Sequence, residues 1–181
     1  MIEKAYAIVG MPGSGKTEIA KVGEEMNIPI IVMGDVIRDD LTEKGIELTP
    51  ENMGNYAMEI RKDHGMDIVA KKTFNKISNK SYNKIIIDGL RNYEEVEYFK
   101  LNIKEFYIIA VHVSPKTRFL RLQKRKRQDD SVKWEVFLGR DEREISFGIA
   151  KLIAQADYML INEGELKLTQ EEFKKILIGQ I

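Results

Sequence analysis

The residues best suited to chemistry lie near the start of the chain, in the segment GMPGSGKT. Its glycines have no Cβ, so backbone amides can turn towards an anion at close range. The lysine supplies a point charge for terminal phosphates, and the threonine hydroxyl can bind Mg²⁺. The complete pattern therefore predicts a site for ATP or a related triphosphate. The segment comprises Gly10, Met11, Pro12, Gly13, Ser14, Gly15, Lys16 and Thr17.

Such a loop needs a buried strand before it and the positive N-terminal end of a helix after it. The apolar run from Ala5 to Val9 provides the strand. Residues Lys16 to about Met26 predict the helix, with Ile19 and Val22 among its apolar contacts. A flexible glycine turn is the alternative interpretation, and both flanking elements argue against it.

A carboxylate follows a second apolar run, in which Asp88 ends the sequence Lys84 to Ile87. At the end of a strand in this kind of sheet, an aspartate can reach the metal ion or its waters. An ordinary aspartate that caps the next turn is the alternative. Beside the phosphate-binding segment, the pattern favours a metal-site role for Asp88 together with Thr17.

Short apolar runs alternate with amphipathic stretches along the whole chain. This alternation predicts an α/β fold in which helices cover both faces of a parallel sheet. We expect one domain over residues 1–181, with no internal repeat and no low-complexity linker. The predicted strands are Ala5–Val9, Ile28–Met33, Lys84–Ile87, Phe106–Val113 and Tyr158–Ile161.

The composition restricts the classes of partner. The chain has 29 basic and 29 acidic residues, so any anion site must be local rather than a property of the whole surface. A nucleic-acid partner is therefore not expected. With no cysteine, disulfides and thiolate metal sites are excluded. No apolar run is long enough for a membrane span and no signal-peptide layout is evident, so we expect a cytoplasmic protein.

A long helical region follows the second strand. Thr49 is an N-cap residue and Pro50 stands at the first helical position, where its missing donor costs nothing. The helix is predicted to extend to about Ser78 and to break near Gly65.

The segment GDVIR between the second strand and this helix resembles an element of the nucleoside monophosphate kinases of the adenylate kinase type, and of an archaeal group related to them. In that family the pattern is GDxxR, and its arginine binds the phosphate of the acceptor. The resemblance implies that Gly34, Asp35 and Arg38 contact the acceptor, within a helical region of about residues 34–78. An N-cap aspartate with a solvated arginine is the alternative.

The segment IDGLR is similar to the family's DGFPR element. The proline is absent, which brings Arg91 one residue closer to Asp88. The resemblance implies that Gly89 and Arg91 also contact the acceptor phosphate. A surface arginine is the alternative.

Basic residues accumulate from Lys116 to Arg127 without an intervening carboxylate. Such a run is usually a solvated face or a nucleic-acid patch. Here Arg121 and Arg125 repeat the family's RxxxR spacing, and Arg127 opens RQDD, which resembles its RxDD element. The resemblance implies a mobile lid over about residues 116–142, with Arg140 as a further lid arginine.

Phosphoryl transfer explains the need for these arginines. Its transition state is loose, with charge spread over the equatorial oxygens, so positioning and positive charge supply most of the acceleration. The resemblance implies a five-stranded parallel sheet in the order 2-3-1-4-5. It also implies an ATP- and Mg²⁺-dependent transferase in which Asp35 is a further candidate for the metal site. We expect AMP as the leading acceptor.

Two departures from the family pattern and a second resemblance leave the substrate open. Met33 replaces a family threonine, and Glu95 replaces a glutamine that reads adenine. An ionised carboxylate accepts hydrogen bonds but donates none. The segment from Ala156 to Asn162 resembles dephospho-coenzyme A kinase, which keeps that class open. A nucleotide-responsive ATPase or regulatory protein without a small acceptor is a further alternative.

Overall fold

A computed structural model describes residues 2–125 and 133–181. One parallel sheet lies at its centre, with the strands in the order β2-β3-β1-β4-β5, which confirms the predicted order. The strands are β1 (Lys4–Val9), β2 (Ile30–Val32), β3 (Lys84–Asp88), β4 (Glu105–His112) and β5 (Tyr158–Ile161).

Helices connect the strands and cover the sheet. They are α1 (Lys16–Ala20), α2 (Val22–Glu25), α3 (Gly34–Glu43), α4 (Pro50–His64), α5 (Ile68–Ile77), α6 (Tyr93–Asn102), α7 (Pro115–Arg125), α8 (Trp134–Phe147), α9 (Ile149–Ala154) and α10 (Leu166–Leu177). Within the described residues, no helix combines the length and apolarity that a bilayer crossing requires.

The central strand shows why both faces of the sheet are covered. Successive side chains of a strand point to opposite faces. Ala5 and Val9 of β1 pack into one apolar core, to which α3, α5 and α6 contribute. Tyr6 and Ile8 pack into a second core, to which α1 and α10 contribute. The chain therefore forms the predicted three-layer α/β/α arrangement.

Strand boundaries differ from the predicted ones by one or two residues. β2 begins at Ile30 rather than Ile28, because Pro29 has no N–H to donate to a neighbouring strand. The amide of Ile28 instead donates to Gly23 O at 2.8 Å. The predicted first helix is interrupted at Lys21, which separates α1 from α2.

The long helical region has the predicted start and the predicted break. The Thr49 side chain accepts a hydrogen bond from Asn52 N at 3.1 Å, which caps α4. Gly65 ends α4 with φ at +96°, a conformation that disfavours residues with a Cβ. The two helices α4 and α5 therefore form one side of a cleft above β2 and β3.

Register places the ends of the strands side by side. Ile8 of β1 lies opposite both Asp88 of β3 and Ile109 of β4. The segment after β1 is therefore flanked by the residues that follow its two neighbours. Ligand sites in sheets of this kind form beyond such carboxyl ends.

A buried arginine ties this edge of the sheet together. Arg118 of α7 is 3% exposed and forms a bidentate pair with Asp141 of α8, at 2.8 and 2.5 Å. It also donates to Pro12 O at 3.1 Å and to Val113 O at 3.2 Å. One guanidinium thus connects the phosphate-binding segment, the end of β4 and α8.

We expect Arg118→Met to lower the free energy of unfolding by about 3–5 kcal/mol, because the Asp141 carboxylate stays buried without a counter-charge. Urea denaturation at neutral pH measures the loss. The double variant Arg118→Met with Asp141→Leu should recover much of it.

Lys21→Met is the matched control. Lys21 pairs with Glu18, and the two side chains are 52% and 48% exposed. Its loss should change the free energy of unfolding by no more than about 1 kcal/mol. Equal losses in the Arg118 and Lys21 variants would contradict the bridging role of Arg118.

Candidate nucleotide-binding active site

The segment from Gly10 to Thr17 forms a tight loop between β1 and α1. Gly10 has φ at +154° and Gly15 has φ at +91°. A Cβ on Gly10 would lie 2.5 Å from Val111 O, and one on Gly15 would lie 2.5 Å from Asn162 Nδ2. Only glycine fits these two positions, so the loop can pass close to its neighbours and to a phosphate.

Lys16 lies over the mouth of this loop. Its Nζ donates to Gly10 O at 2.6 Å and to Met11 O at 3.2 Å. Burial lowers the pKa of Lys16 to about 8, and the nearby Arg91 and other arginines act in the same direction. Asp88 opposes that shift. The ammonium group is thus short of negative charge, which a polyphosphate would supply.

Thr17 and Asp88 face each other across the edge of the sheet. Thr17 Oγ1 donates to Asp88 Oδ2 at 3.5 Å. Burial raises the pKa of Asp88, while Lys16, Thr17 and Arg91 act to lower it. A hydroxyl and a carboxylate oxygen fit Mg²⁺, which usually takes one or two protein oxygens and completes its shell with water and phosphate.

Asn162, which follows β5, supports the loop from behind. Its Nδ2 donates to Ser14 O at 2.9 Å, and its Oδ1 accepts from Thr169 at 3.3 Å. Its carbonyl accepts from Arg121 Nη2 at 2.8 Å. The motifs predicted no contact between the two ends of the chain. The only signal was the position of Asn162 at the end of the ADYMLIN segment.

Two adjoining cavities open beside Lys16. The smaller, of about 320 Å³, lies over the loop and is bounded by α7 and α8. The larger, of about 840 Å³, extends beneath α8 to α3 and α4. Both volumes are in the range of small-molecule sites. The residues that line both cavities are Lys16, Thr17, Gly89, Arg91, Arg140 and Glu144.

Gly34 and Arg38 line the larger cavity. Arg38 forms an ion pair with Asp35, and both side chains are about half exposed. Arg38 and the loop residues Lys16 and Thr17 thus line the same cavity. The Asp35 carboxylate is held by Arg38, whereas Thr17 and Asp88 pair with each other.

Arg91 lies where the two cavities meet. Its Nη1 forms an ion pair with Glu144 of α8. Burial lowers the pKa of Arg91 to about 10, and Arg61 acts in the same direction while Glu95 opposes it. The Arg91 side chain is 39% exposed, because it lines the two cavities, which water can enter.

Glu95 does not face the larger cavity. It is 0% exposed, and its carboxylate pairs with Arg61 Nη2 at 2.7 Å. The position that reads adenine in the resembled family is therefore occupied here by a buried charge pair.

The predicted lid arginines lie on two helices. Arg121 and Arg125 of α7 line the smaller cavity, and Arg140 of α8 lines both. Arg127 lies outside the described residues. The motifs gave no indication that Asp141 and Glu144 of α8 would bind arginines of other elements.

The fold matches those of two proteins with solved structures. The protein TT1252 from Thermus thermophilus superposes with a TM-score of 0.71 at 16% identity, covering 100% of this chain and 99% of that one. A shikimate kinase from Bacteroides thetaiotaomicron superposes with a TM-score of 0.62 at 17% identity, covering 99% and 98%. Together with the sequence of the loop, this fold defines a P-loop α/β domain.

Sequence relatives identify the family. Residues 9–137 match the model of an AAA domain. A UPF0200 protein of Hyperthermus butylicus is 42% identical over 170 residues, covering 94% of this chain and 91% of the relative. One from Methanococcus maripaludis is 44% identical, covering 96% and 98%. The chain belongs to the UPF0200 family and to the family that the AAA-domain model describes.

The lowered pKa of Lys16 predicts proton uptake when a triphosphate binds. Between about pH 8 and its ordinary value of 10.5, the buried amine has lost much of its proton. Phosphate charge raises its pKa again, so binding of MgATP near pH 9 should take up a proton, and affinity should fall as the pH rises through this window. Calorimetry in buffers of different ionisation enthalpy measures the uptake.

Lys16→Met should abolish that uptake, whereas Lys21→Met should preserve it. An unchanged proton balance in the Lys16 variant would show that another group titrates. No heat of binding for any purine triphosphate with wild-type protein would overturn the assignment of the loop.

Proposed function

We propose that this protein is an ATP- and Mg²⁺-dependent nucleotide kinase that transfers the γ-phosphate to a nucleoside monophosphate, with AMP as the first candidate. The observation that carries the proposal is the larger cavity, which runs from Lys16 past Arg91 to Arg38. Cations thus line a path from the donor loop to a second arginine site.

The walls of this cavity suit a nucleotide-sized acceptor. Charged groups and apolar side chains both line it. A phosphate can therefore face the arginines while a base packs against apolar surface. The apolar lining residues are Val32, Met33, Ile37, Met53, Val69, Val136 and Phe147.

In the proposed reaction, an oxygen of the acceptor phosphate attacks the γ-phosphorus of ATP. The bond from that phosphorus to the β–γ bridging oxygen breaks, and ADP leaves with the bond's electron pair. Lys16 binds the β and γ phosphates, Arg38 and Arg91 hold the acceptor phosphate, and the lid arginine Arg140 offsets charge on the transferring group. No general base is needed for an acceptor oxygen that is already ionised.

The metal ion would be held by Thr17 and Asp88. The bound Mg²⁺ would supply positive charge that offsets part of the negative charge of the donor phosphates. Asp35, the further residue predicted for the metal site, would help Asp88 to orient the waters of the metal ion.

The helices α7 and α8 are proposed to act as the lid. Arginines of these helices line both cavities. Closure of the helices over the bound nucleotide would exclude the water that otherwise hydrolyses the γ-phosphate. The predicted lid residue Arg127 remains a proposed contributor. The shikimate kinases among the structural neighbours support phosphotransfer, and the acceptor is inferred from this chain's own cavity.

The acceptor assignment predicts a selective loss in Arg38→Ala. The variant should raise the KM for AMP by about 10- to 100-fold, the size expected for a charge-assisted hydrogen bond, with little change in the KM for ATP. Lys16→Ala should abolish transfer. Product analysis with ATP and a panel of nucleoside monophosphates plus dephospho-coenzyme A measures both effects.

Lys76→Ala is the matched control. Lys76 of α5 forms an ion pair with Asp39, which lies next to Arg38 on α3, and both side chains are about half exposed. The Lys76 variant should leave both KM values unchanged. Transfer that survives Arg38→Ala with an unchanged acceptor KM would refute the role of Arg38. Phosphate release indifferent to every acceptor would instead favour a nucleotide-responsive ATPase.

A further inference from the structure

A charge pair lies directly beneath Arg91. Glu95 of α6 and Arg61 of α4 are almost completely buried, with Arg61 Nη2 at 2.7 Å from Glu95 Oε1. Removing two charges from water is costly, so such a pair adds little to stability compared with apolar residues of similar volume. Its effect must be sought in the groups that it orients.

The second oxygen of Glu95 holds the main chain of Arg91. Glu95 Oε2 accepts from Arg91 N at 2.8 Å, while Glu95 N donates to Asn92 Oδ1 at 2.9 Å. Asn92 Nδ2 in turn donates to Met66 O at 3.0 Å. These hydrogen bonds therefore fix the turn between β3 and α6 at Arg91 and at Asn92.

Arg61 is committed to this arrangement as well. Its Nη1 donates to Ala57 O at 2.9 Å, and its guanidinium lies 5.8 Å from the ring centre of Phe147 on α8. Nη2 is bound to Glu95. Arg61 lines the larger cavity, but these contacts direct its two terminal nitrogens towards the protein.

We propose that Glu95 and Arg61 are positioning residues, which fix the main chain at Arg91 and so aim its guanidinium into the junction of the two cavities. The inference rests on the proposed function and deepens it. Glu95, at the position that reads the base in adenylate kinases, would thus place a phosphate-binding arginine instead. Recognition of the acceptor base therefore depends on other residues of the cavity.

The placement has a geometric reason. Gly89 follows β3 and has φ at +112°. Only Gly89 and Leu90 separate the metal-site carboxylate of Asp88 from Arg91 in the sequence. The guanidinium must reach the cavity from this short turn. A buried carboxylate that binds the amide of Arg91 removes the rotational freedom that would otherwise misplace the side chain.

The test compares two ways to remove the clamp. Glu95→Gln loses one charge and one hydrogen bond, and it should raise the KM for AMP about tenfold with kcat and the KM for ATP nearly unchanged. The double variant Arg61→Met with Glu95→Leu removes both charges together and leaves no unpaired buried charge, so it should remain folded. It should nevertheless show the same rise in acceptor KM.

A cycle with Arg91→Ala shows whether the pair acts through that residue. Once Arg91 is truncated, Glu95→Gln should produce no further rise in the acceptor KM. Additive effects, or an equal fall in donor binding, would overturn the positioning role. If Arg91→Ala alone leaves acceptor kinetics unchanged, the proposed role of Arg91 fails instead.

Hydrogen exchange of the Arg91 amide gives a readout that needs no acceptor. Protection should fall in the double variant while the strands of the sheet stay protected. Unchanged protection of that amide would overturn the clamp. If wild-type protein phosphorylates none of the panel, the proposed acceptor class fails, and the exchange measurement still decides the positioning role.

Discussion

The structure depends on how positive charge is held at one edge of a parallel sheet. A lysine and several arginines converge there because each strand delivers its next residues to the same edge. Such a cluster repels itself, and burial makes the repulsion stronger. Carboxylates on neighbouring elements offset it, with Asp141 bound to Arg118 and Glu144 bound to Arg91. The positive charge that remains after this pairing suits the binding of a phosphate.

The five strands divide the work of building that edge. β1 ends in the phosphate-binding loop, and β3 ends in the carboxylate that faces it. β2 leads to the helix that carries Arg38, while β4 leads to α7. β5 ends at Asn162, which fixes the loop from behind. Each contribution is local in sequence, and only the strand order brings them together.

The division between what the sequence predicted and what it did not follows from this arrangement. Strands buried on both faces read as continuous apolar runs, so the sheet and the loop could be found from local pattern. The capped start of α4 and its end at Gly65 were local signals too. The start of β2 shifted to Ile30, because Pro29 has no N–H to donate to a neighbouring strand. Where a strand begins thus depends on its hydrogen bonds to the partner strand.

Contacts between distant elements left no such pattern. The partners Arg118 and Asp141 are 23 residues apart, and nothing in a basic run marks one arginine as buried. Glu95 could be aligned with a family position, but its pairing with Arg61 depends on how α4 packs against α6. The roles of Arg38, Arg91 and the lid arginines stay predictions.

The brace from Asn162 to Ser14 joins residues that lie 148 positions apart in the chain. During synthesis on the ribosome, the glycine-rich segment leaves the exit tunnel long before β5 and α10 exist. Until they dock, the loop lacks the amide that fixes the Ser14 carbonyl. The loop therefore gains this contact only after the chain has been synthesised past Asn162.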